Sequence, residues 1–146
     1  MKIYIQRTTE GKGLKLPAYA TEGSSGMDIM AAIEKELILK PGQRSLIPAG
    51  FRLALPHSYE AQIRPRSGLA LEYGLTLLNT PGTVDSDYRG QIKIIVVNLG
   101  EKPITIKRGD RIAQMIISRV EKITWEETDQ LPASTRGSGG FGHTKM

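Results

Sequence analysis

The sequence predicts an all-β fold, either a sandwich or a barrel, that carries one short helix. Apolar residues alternate with polar ones along much of the chain, as they do in half-buried strands. The apolar runs are short and end at turn residues, and the chain contains 16 Gly and 8 Pro. Its 146 residues are enough for one domain with a core of its own.

The strands follow from this pattern in chain order. The predicted strands are the apolar runs at 3–6, 37–39, 51–55, 91–98, 104–106 and 111–120. Turn signals separate them, such as Pro41 with Gly42 and Pro56. The run at 91–98 is rich in Ile and Val, which is typical of a buried strand. Short strands at such spacing favour a sandwich or a barrel.

One helix and one flexible segment complete the prediction. A short helix is expected from Ser67 to Tyr73, because Ser67 is a good N-cap candidate and strong helix formers follow it. From Ser134 onward the chain is rich in Gly and has little to pack, which favours a flexible arm. The predicted organisation is therefore a β domain over residues 1–133 and an arm over residues 134–146.

The composition narrows the function classes. A formal net charge of +5 is compatible with a nucleic acid, with a polyanionic small molecule or with an ordinary surface. The absence of Cys excludes a disulfide framework and a thiolate metal site. No apolar run approaches the roughly 20 residues that span a bilayer, and the start lacks a secretory apolar stretch. A cytoplasmic protein without a membrane partner is expected.

Two polar segments in the first half of the chain are candidates for a functional site. Residues 18–29 place two Gly and two Ser before Asp28, which enters a strand, although an ordinary loop shares these features. Arg66 and Ser67 stand at the start of the predicted helix, where free backbone N–H groups favour an anion. Arg66 adds a planar fork that suits phosphate oxygens, and Gly68 lets a ligand approach the backbone closely. An ordinary N-cap beside a surface Arg is the alternative.

The third polar segment, residues 79–90, is predicted to form the tip of a β-hairpin between two apolar runs. It carries an amide, Asn79, two carboxylates, Asp85 and Asp87, and an aromatic ring, Tyr88. A simple turn does not need so many different polar groups. A carboxylate near a phosphate site can bind a metal or deprotonate water. An Asp-rich turn is the alternative explanation.

Two further segments lie toward the C-terminus. Gln114 stands in an otherwise apolar strand, and a buried amide there needs a partner in the backbone or in a ligand. The Gly-rich tail is not a Walker loop, because no Gly-Lys-Ser/Thr follows a strand. It does contain Arg136 and Phe141, which favour a lid that clamps a phosphate and stacks on a base. A disordered tail is the alternative.

Together these five segments resemble the five motifs of the homotrimeric dUTPase family, in order and approximate spacing, from residue 18 to residue 144. The most specific matches are Arg66-Ser67-Gly68, Gly82-Thr83-Val84-Asp85 with Tyr88, and Arg136 with Gly140-Phe141-Gly142. The chain departs from the family at Ser25, where Ala is frequent, and at His143, where Ser is common. The second departure leaves the local phosphate contact of the tail open.

The resemblance implies a distorted jelly-roll-like β-barrel that hydrolyses dUTP to dUMP and pyrophosphate. This reaction limits uracil incorporation into DNA and supplies dUMP for thymidylate synthesis. Asp85 would be the general base, and Mg²⁺ would bind the triphosphate with Asp28 near its water shell. The implied substrate contacts are Arg66, Ser67, Gly68, Gln114 and Arg136 for phosphates, Asn79, Thr83, Val84, Asp85 and Lys93 for uracil, Tyr88 for deoxyribose, and Phe141 with Gly142 for the closing arm. Three identical chains would share three active sites, and each arm would cover a neighbour's site.

Other functions fit parts of the sequence. A dCTP deaminase of the same superfamily carries a catalytic Glu on the strand after the third motif, and residues 91–98 contain no Glu. A zinc nucleoside deaminase needs Cys ligands, which are absent. A non-catalytic nucleotide-sensing protein would be expected to lack the base, and Asp85 is present. An RNA-binding module would interleave aromatic and basic residues, and no such cluster occurs, so stable nucleic-acid binding is not expected.

Overall fold

The computed structural model describes residues 1–140, in which eleven strands surround a core and one helix lies at the edge. The strands are β1 Tyr4–Arg7, β2 Met27–Met30, β3 Leu37–Leu39, β4 Arg44–Pro48, β5 Phe51–Ala54, β6 Tyr59–Arg64, β7 Leu75–Leu77, β8 Gly82–Val84, β9 Lys93–Asn98, β10 Ile104–Ile106 and β11 Arg111–Arg119. The helix, α1, covers Ser67–Tyr73. No helix in this part of the chain is long and apolar enough to cross a membrane.

All the strand pairs are antiparallel, and they form four sheets. The strand orders are β1-β5, β10-β3, β4-β9-β7 and β2-β11-β6-β8. Backbone hydrogen bonds outside the strands join the sheets, for example from Ala32 N to Pro48 O at 2.8 Å and from Ala49 N to Ile92 O at 2.9 Å. The predicted all-β class is confirmed. The ladders of residues 1–140 nevertheless remain four separate sheets and do not close into a barrel.

The core follows the alternation in the sequence. Phe51, Leu53 and Leu55 are buried, whereas Arg52 between them is exposed. Burial of an apolar side chain of this size contributes about 1.5–3 kcal/mol. The buried end of β9 is polar but satisfied, because the Asn98 amide donates to Leu39 O and Lys102 O and accepts from Gly100 N.

The segment between β7 and β9 is more than the tip of a hairpin. β7 and β9 do pair, with Leu77 opposite Val96, as the two apolar runs predict. Between them, however, β8 leaves this sheet and pairs with β6 in the four-stranded sheet. Gly82 and Val84 of β8 are buried, and this crossing is what places them against the core.

The helix α1 has the predicted bounds but not the predicted cap. Its N-cap is Arg66, whose backbone is extended at φ −97° and ψ 128°, and no side chain caps the helix. Ser67 is therefore the first helical residue and not the cap. The helix ends at Gly74, whose φ of 69° is a left-handed conformation that Gly adopts without a Cβ clash.

No strand or helix follows β11 within the described part of the chain. Residues 120–140 are irregular, and the side chains from 121 to 138 are exposed. The division into a domain over residues 1–133 and an arm over residues 134–146 stays a prediction. Phe141, Gly142 and His143 lie outside the described residues.

Candidate active site

The four-stranded sheet has a core face and an outer face. Ile29 of β2 and Ile63 of β6 are buried, so the residues next to them in each strand point outward. Strand register places Asp28 directly opposite Gln114 and Gln114 directly opposite Arg64. Three polar side chains from three neighbouring strands therefore lie in one row on the outer face.

Asp28, Arg66 and Arg111 form what we call the arginine cluster. Arg66 Nε lies 3.0 Å from Asp28 Oδ1, and Arg111 Nη1 lies 3.3 Å from Asp28 Oδ2. Arg66 also donates from Nη1 to the backbone oxygen of Arg111 at 2.8 Å. The side chains of Arg66 and Asp28 are 28% and 30% exposed. A ligand can therefore reach the cluster, while partial burial keeps the ion pair stronger than one in open solvent.

Gln114 braces the loop that leads into α1. Its Nε2 donates to Pro65 O at 2.9 Å, so the backbone is the partner found for this amide. A Cβ at Gly26 would collide with Gln114 Oε1, which shows how closely the loop before β2 packs on the same side chain. Ser67 and Gly68, which follow Arg66 in the chain, are exposed.

Asp85 lies near the other end of the outer face, immediately after β8. Its side chain is exposed, and none of the salt bridges formed within residues 1–140 involves it. A cleft of about 510 Å³ runs beside it and is also lined by His57, Glu60 and Thr83. The carboxylate is thus open to accept a hydrogen bond or a proton from a molecule in the cleft.

The tip around Asp85 has unpaired backbone as well as polar side chains. The remaining predicted uracil and sugar contacts with exposed side chains are Asn79, Thr83, Tyr88 and Lys93. Val84 is buried, so only its backbone can contact a ligand. Because β8 is an edge strand of its sheet, one edge of its backbone has no ladder partner among residues 1–140. Tyr88 Oη donates to Gln91 O at 3.2 Å, which holds the ring beside the turn.

The arginine cluster and Asp85 are far apart within one chain. Asp28 is in register with Arg64 of β6, because both lie opposite Gln114. Asp85 follows Val84 and is therefore in register with Glu60. Glu60 and Arg64 are four residues apart along β6. The two positions are also separated by three strand spacings in the order β2-β11-β6-β8. With about 4.8 Å between strands and about 3.3 Å per residue, the separation is roughly 20 Å. One chain does not bring the predicted base and Arg66 together.

Arg111 is the candidate that sequence reasoning missed, since nothing local links it to Asp28. It stands where the register shifts between Arg111 and Ala113, and only the pairing of β11 with β2 brings it there. Arg136 was expected at a phosphate. In the described chain it is exposed, and its Nε donates to the nearby Gly139 O at 2.6 Å. Phe141 and Gly142, expected to close the site, lie beyond residue 140.

Comparisons with known proteins agree on one family. The dUTPase family model matches residues 12–145. A deoxyuridine 5'-triphosphate nucleotidohydrolase of Caldanaerobacter subterraneus subsp. tengcongensis is 59% identical over 142 residues, which are 97% of this chain and 96% of the relative. The protein of that name from Rickettsia typhi is 57% identical over 146 residues, which are 100% and 98% of the two chains.

Solved structures share the fold. The dUTPase of Staphylococcus bacteriophage 80alpha with dUPNHPP has a TM-score of 0.89 at 20% identity and covers 99% of each chain. A mutant dUTPase of phage phi11 of S. aureus, whose structure describes the coordination of a structural Mg(II) ion, has a TM-score of 0.78 at 16% identity and covers 89% of this chain and 98% of its own. This likeness confirms the jelly-roll-like β fold.

Proposed function

The chain belongs to the dUTPase family and hydrolyses dUTP to dUMP and pyrophosphate, and we propose that Asp85 is the base and the arginine cluster a phosphate-binding surface of this reaction. The observation that carries these roles is the division of charge on the outer face. Guanidinium groups lie at one end, and an exposed carboxylate outside any salt bridge of the described chain lies at the other. Phosphoryl transfer needs both, because cations offset the phosphate charge and a base takes the proton of the attacking water.

The chemical step is a displacement at the α-phosphorus. Asp85 accepts a proton from a water molecule in the cleft, and the water oxygen forms a bond to the α-phosphorus. The bond from that phosphorus to the bridging oxygen of the β-phosphate breaks, and pyrophosphate leaves with the electron pair. Arg66, Gln114 and the Ser67-Gly68 backbone hold the phosphates in line, and Arg136 reaches the γ-phosphate.

The tip, residues 79–90, recognises the base and the sugar. The edge strand β8 and the turn that follows it offer backbone groups within Thr83 to Asp85 for the polar edge of uracil, together with Asn79 and the backbone of Lys93. Cytosine presents the opposite donor and acceptor pattern, which leaves buried polar groups unpaired and costs affinity. Tyr88 packs on the deoxyribose and leaves no room for a 2′-hydroxyl. The arm carrying Phe141 closes over the bound base.

We also propose that the sites are shared between chains of a homotrimer. The separation of roughly 20 Å between Asp85 and Asp28 is longer than a triphosphate chain, so Asp85 and the arginine cluster of one chain cannot both act on the same triphosphate. A second copy that supplies its arginine cluster removes this difficulty. The arm of residues 134–146 would reach a neighbouring site.

Mg²⁺ fits the site as a partner of the substrate. Within residues 1–140 no three Asp, Glu or His side chains are grouped as metal ligands. Mg²⁺ commonly binds through substrate phosphates and one or two carboxylates while keeping several waters. Asp28 retains lone pairs that can accept hydrogen bonds from such waters. When bound, the ion would offset negative charge on the triphosphate oxygens.

The physiological consequence follows from the chemistry. Removal of dUTP limits incorporation of uracil into DNA, and the dUMP formed is the precursor of thymidylate. We therefore place the protein in the cytoplasm, where the nucleotide precursors of DNA are found.

The activity test compares four nucleotides in parallel. Pyrophosphate release is measured with Mg²⁺ from dUTP, dTTP, dCTP and UTP, with ammonia followed in the dCTP sample and EDTA as the metal control. Turnover confined to dUTP and lost in EDTA is the expected result. Ammonia from dCTP would indicate deamination, and binding of dUTP without turnover would indicate a nucleotide sensor.

A mixing experiment tests whether the sites are shared. Asp85→Asn and Arg66→Lys chains are unfolded together and refolded, and the activity of the mixture is compared with that of each variant alone. If base and arginine come from different chains, some mixed sites contain both wild-type residues and activity returns. No gain on mixing would place both residues of a site in one chain. Sedimentation velocity gives the number of chains in the assembly.

A further inference from the structure

Asp28 makes more direct contacts with arginine side chains than its expected place near a metal requires. Both of its carboxylate oxygens are engaged, one by Arg66 Nε at 3.0 Å and one by Arg111 Nη1 at 3.3 Å. We propose that Asp28 is a positioning residue that fixes the direction of the Arg66 guanidinium, a role that rests on the proposed function of Arg66 as a phosphate ligand. Asp28 then acts on the phosphates through Arg66.

Arg66 is held through two different nitrogens of its planar guanidinium group. Nε binds Asp28, and Nη1 donates to the Arg111 backbone oxygen at 2.8 Å. A guanidinium has five N–H donors in a rigid fork, so two are used and three remain for a ligand. Two fixed donors also define the direction of the other three, because the group is planar. The remaining N–H groups of the fork are therefore aimed before any substrate arrives.

The fold fixes the two partners of Arg66, Asp28 and the Arg111 backbone, independently of Arg66. Asp28 is fixed in β2 by its neighbour Ile29, which is fully buried, and by its position opposite Gln114. The register shift after Arg111 is typical of a β-bulge, a device that re-aims backbone and side chains. Gln114 holds the loop through Pro65 O at 2.9 Å, one residue before Arg66. Three contacts thus converge on the start of α1.

The charge of Asp28 also makes the cluster stable. Two guanidinium groups beside each other repel, and a carboxylate between them attracts each of them and offsets this repulsion. The cluster keeps a net charge of +1, from two Arg and one Asp, and so still attracts a polyphosphate. Without the carboxylate, Arg66 would be expected to turn toward solvent and spread over several rotamers.

The test is a double-mutant cycle of Asp28→Asn and Arg66→Lys in the full chain. Asn keeps the shape of Asp28 but loses the charge and one acceptor. We expect Asp28→Asn alone to lower kcat/KM for dUTP on the order of 10- to 100-fold. In the Arg66→Lys background the same change should cost little, because the fork that Asp28 orients is gone. An equal loss in both backgrounds would overturn the positioning role.

A binding measurement without metal separates this role from a contact with Mg²⁺. Affinity for dUTP is measured calorimetrically in EDTA, and the Mg²⁺ concentration that gives half-maximal activity is measured separately. Positioning predicts weaker binding in EDTA for Asp28→Asn and an unchanged Mg²⁺ requirement. Unchanged binding in EDTA with a raised Mg²⁺ requirement would assign Asp28 to the metal's water shell instead. If Arg66→Lys alone has no effect, the proposed phosphate role of Arg66 fails and not merely the role of Asp28.

The matched control is Glu121→Gln, which removes the Arg119–Glu121 salt bridge at the other end of β11. It should leave kcat/KM unchanged. Melting temperature and assembly mass are recorded for every variant. If Asp28→Asn does not fold, Asp28→Glu takes its place in the cycle, because it keeps the charge but moves the carboxylate by one methylene. The same pattern is expected, with a large loss in the wild-type background and a small loss in the Arg66→Lys background.

Discussion

The two ends of the outer face differ in how much the single chain prepares them. At the arginine cluster, Asp28 and the Arg111 backbone fix Arg66 through contacts of 3.0 and 2.8 Å. At the tip, Asp85 is exposed and stands outside the three salt bridges found in residues 1–140. The difference follows the chemistry proposed for each end. A phosphate ligand gains from a fixed direction, whereas a base must keep its carboxylate available for a proton.

The comparison also separates what one chain prepares from what an assembly completes. The cluster is complete within one chain because β2, β11 and the loop before α1 meet there. The tip is incomplete, since the free edge of β8 and the cleft beside Asp85 have no occupant of their own chain among the described residues.

Asp85→Asn should have the largest effect, at the tip. We expect kcat to fall by about 10²- to 10⁴-fold while affinity for dUTP is kept, because Asn has the same size but is not a base. Pyrophosphate release and calorimetric binding measure the two quantities. Asp87→Asn, an exposed carboxylate two residues away, is the control and should retain activity. Full activity of Asp85→Asn would remove the base assignment.

Deletion of residues 135–146 should have the next largest effect. It tests whether the arginine cluster is sufficient to bind the phosphates without the arm. We expect kcat/KM to fall by about 100-fold, because Arg136 and Phe141 are lost, while the rest of the chain stays folded in the proposed trimer. Kinetics, sedimentation and melting temperature provide the readouts. Arg136→Gln isolates the phosphate contribution and should weaken binding of dUTP but not of dUMP, which lacks the γ-phosphate. Unchanged kinetics after the deletion would show that the arm is not a lid.

Tyr88→Ala should have a moderate effect that is confined to sugar selectivity. Removal of the ring opens space beside the deoxyribose, so the ratio of kcat/KM for UTP to that for dUTP should rise roughly tenfold. Parallel turnover of the two nucleotides gives this ratio. Tyr4→Ala, on the exposed strand β1, is the control with an unchanged ratio. A Tyr88 variant that still rejects UTP as strongly as the wild type would place sugar discrimination elsewhere.

Glu121→Gln should have the smallest effect. Together with Asp28→Asn, it compares two ion pairs in which arginines of β11 take part. Arg119 and Glu121 are 71% and 79% exposed and 3.3 Å apart, so we expect a loss of less than about 1 kcal/mol in unfolding free energy. Asp28→Asn should lower the melting temperature more, because its ion pairs are less exposed. Melting curves at equal protein concentration give the order. A larger shift for Glu121→Gln would show that the cluster is no better stabilised than an ordinary surface pair.

The fold class, most strand positions and the bounds of α1 follow from the amino-acid sequence alone. Alternation at 51–55 predicted a strand, and the structure buries its apolar residues Phe51, Leu53 and Leu55, because the period of two assigns each residue of a strand to one face. The order of the five polar segments was enough to identify the family. The sequence did not determine that the ladders stay open, that Arg66 occupies the N-cap position of α1, or that β8 pairs in another sheet.

Which side chains meet depends on the tertiary structure. Asp28 and Arg111 are 83 residues apart along the chain, and their contact depends on the register of β2 with β11 and on the shift after Arg111. The separation of Asp85 from the cluster likewise depends on the order of four strands. Periodicity reports the face on which a side chain lies. Register and sheet order are set by burial and backbone pairing summed over the whole molecule, which no local pattern contains.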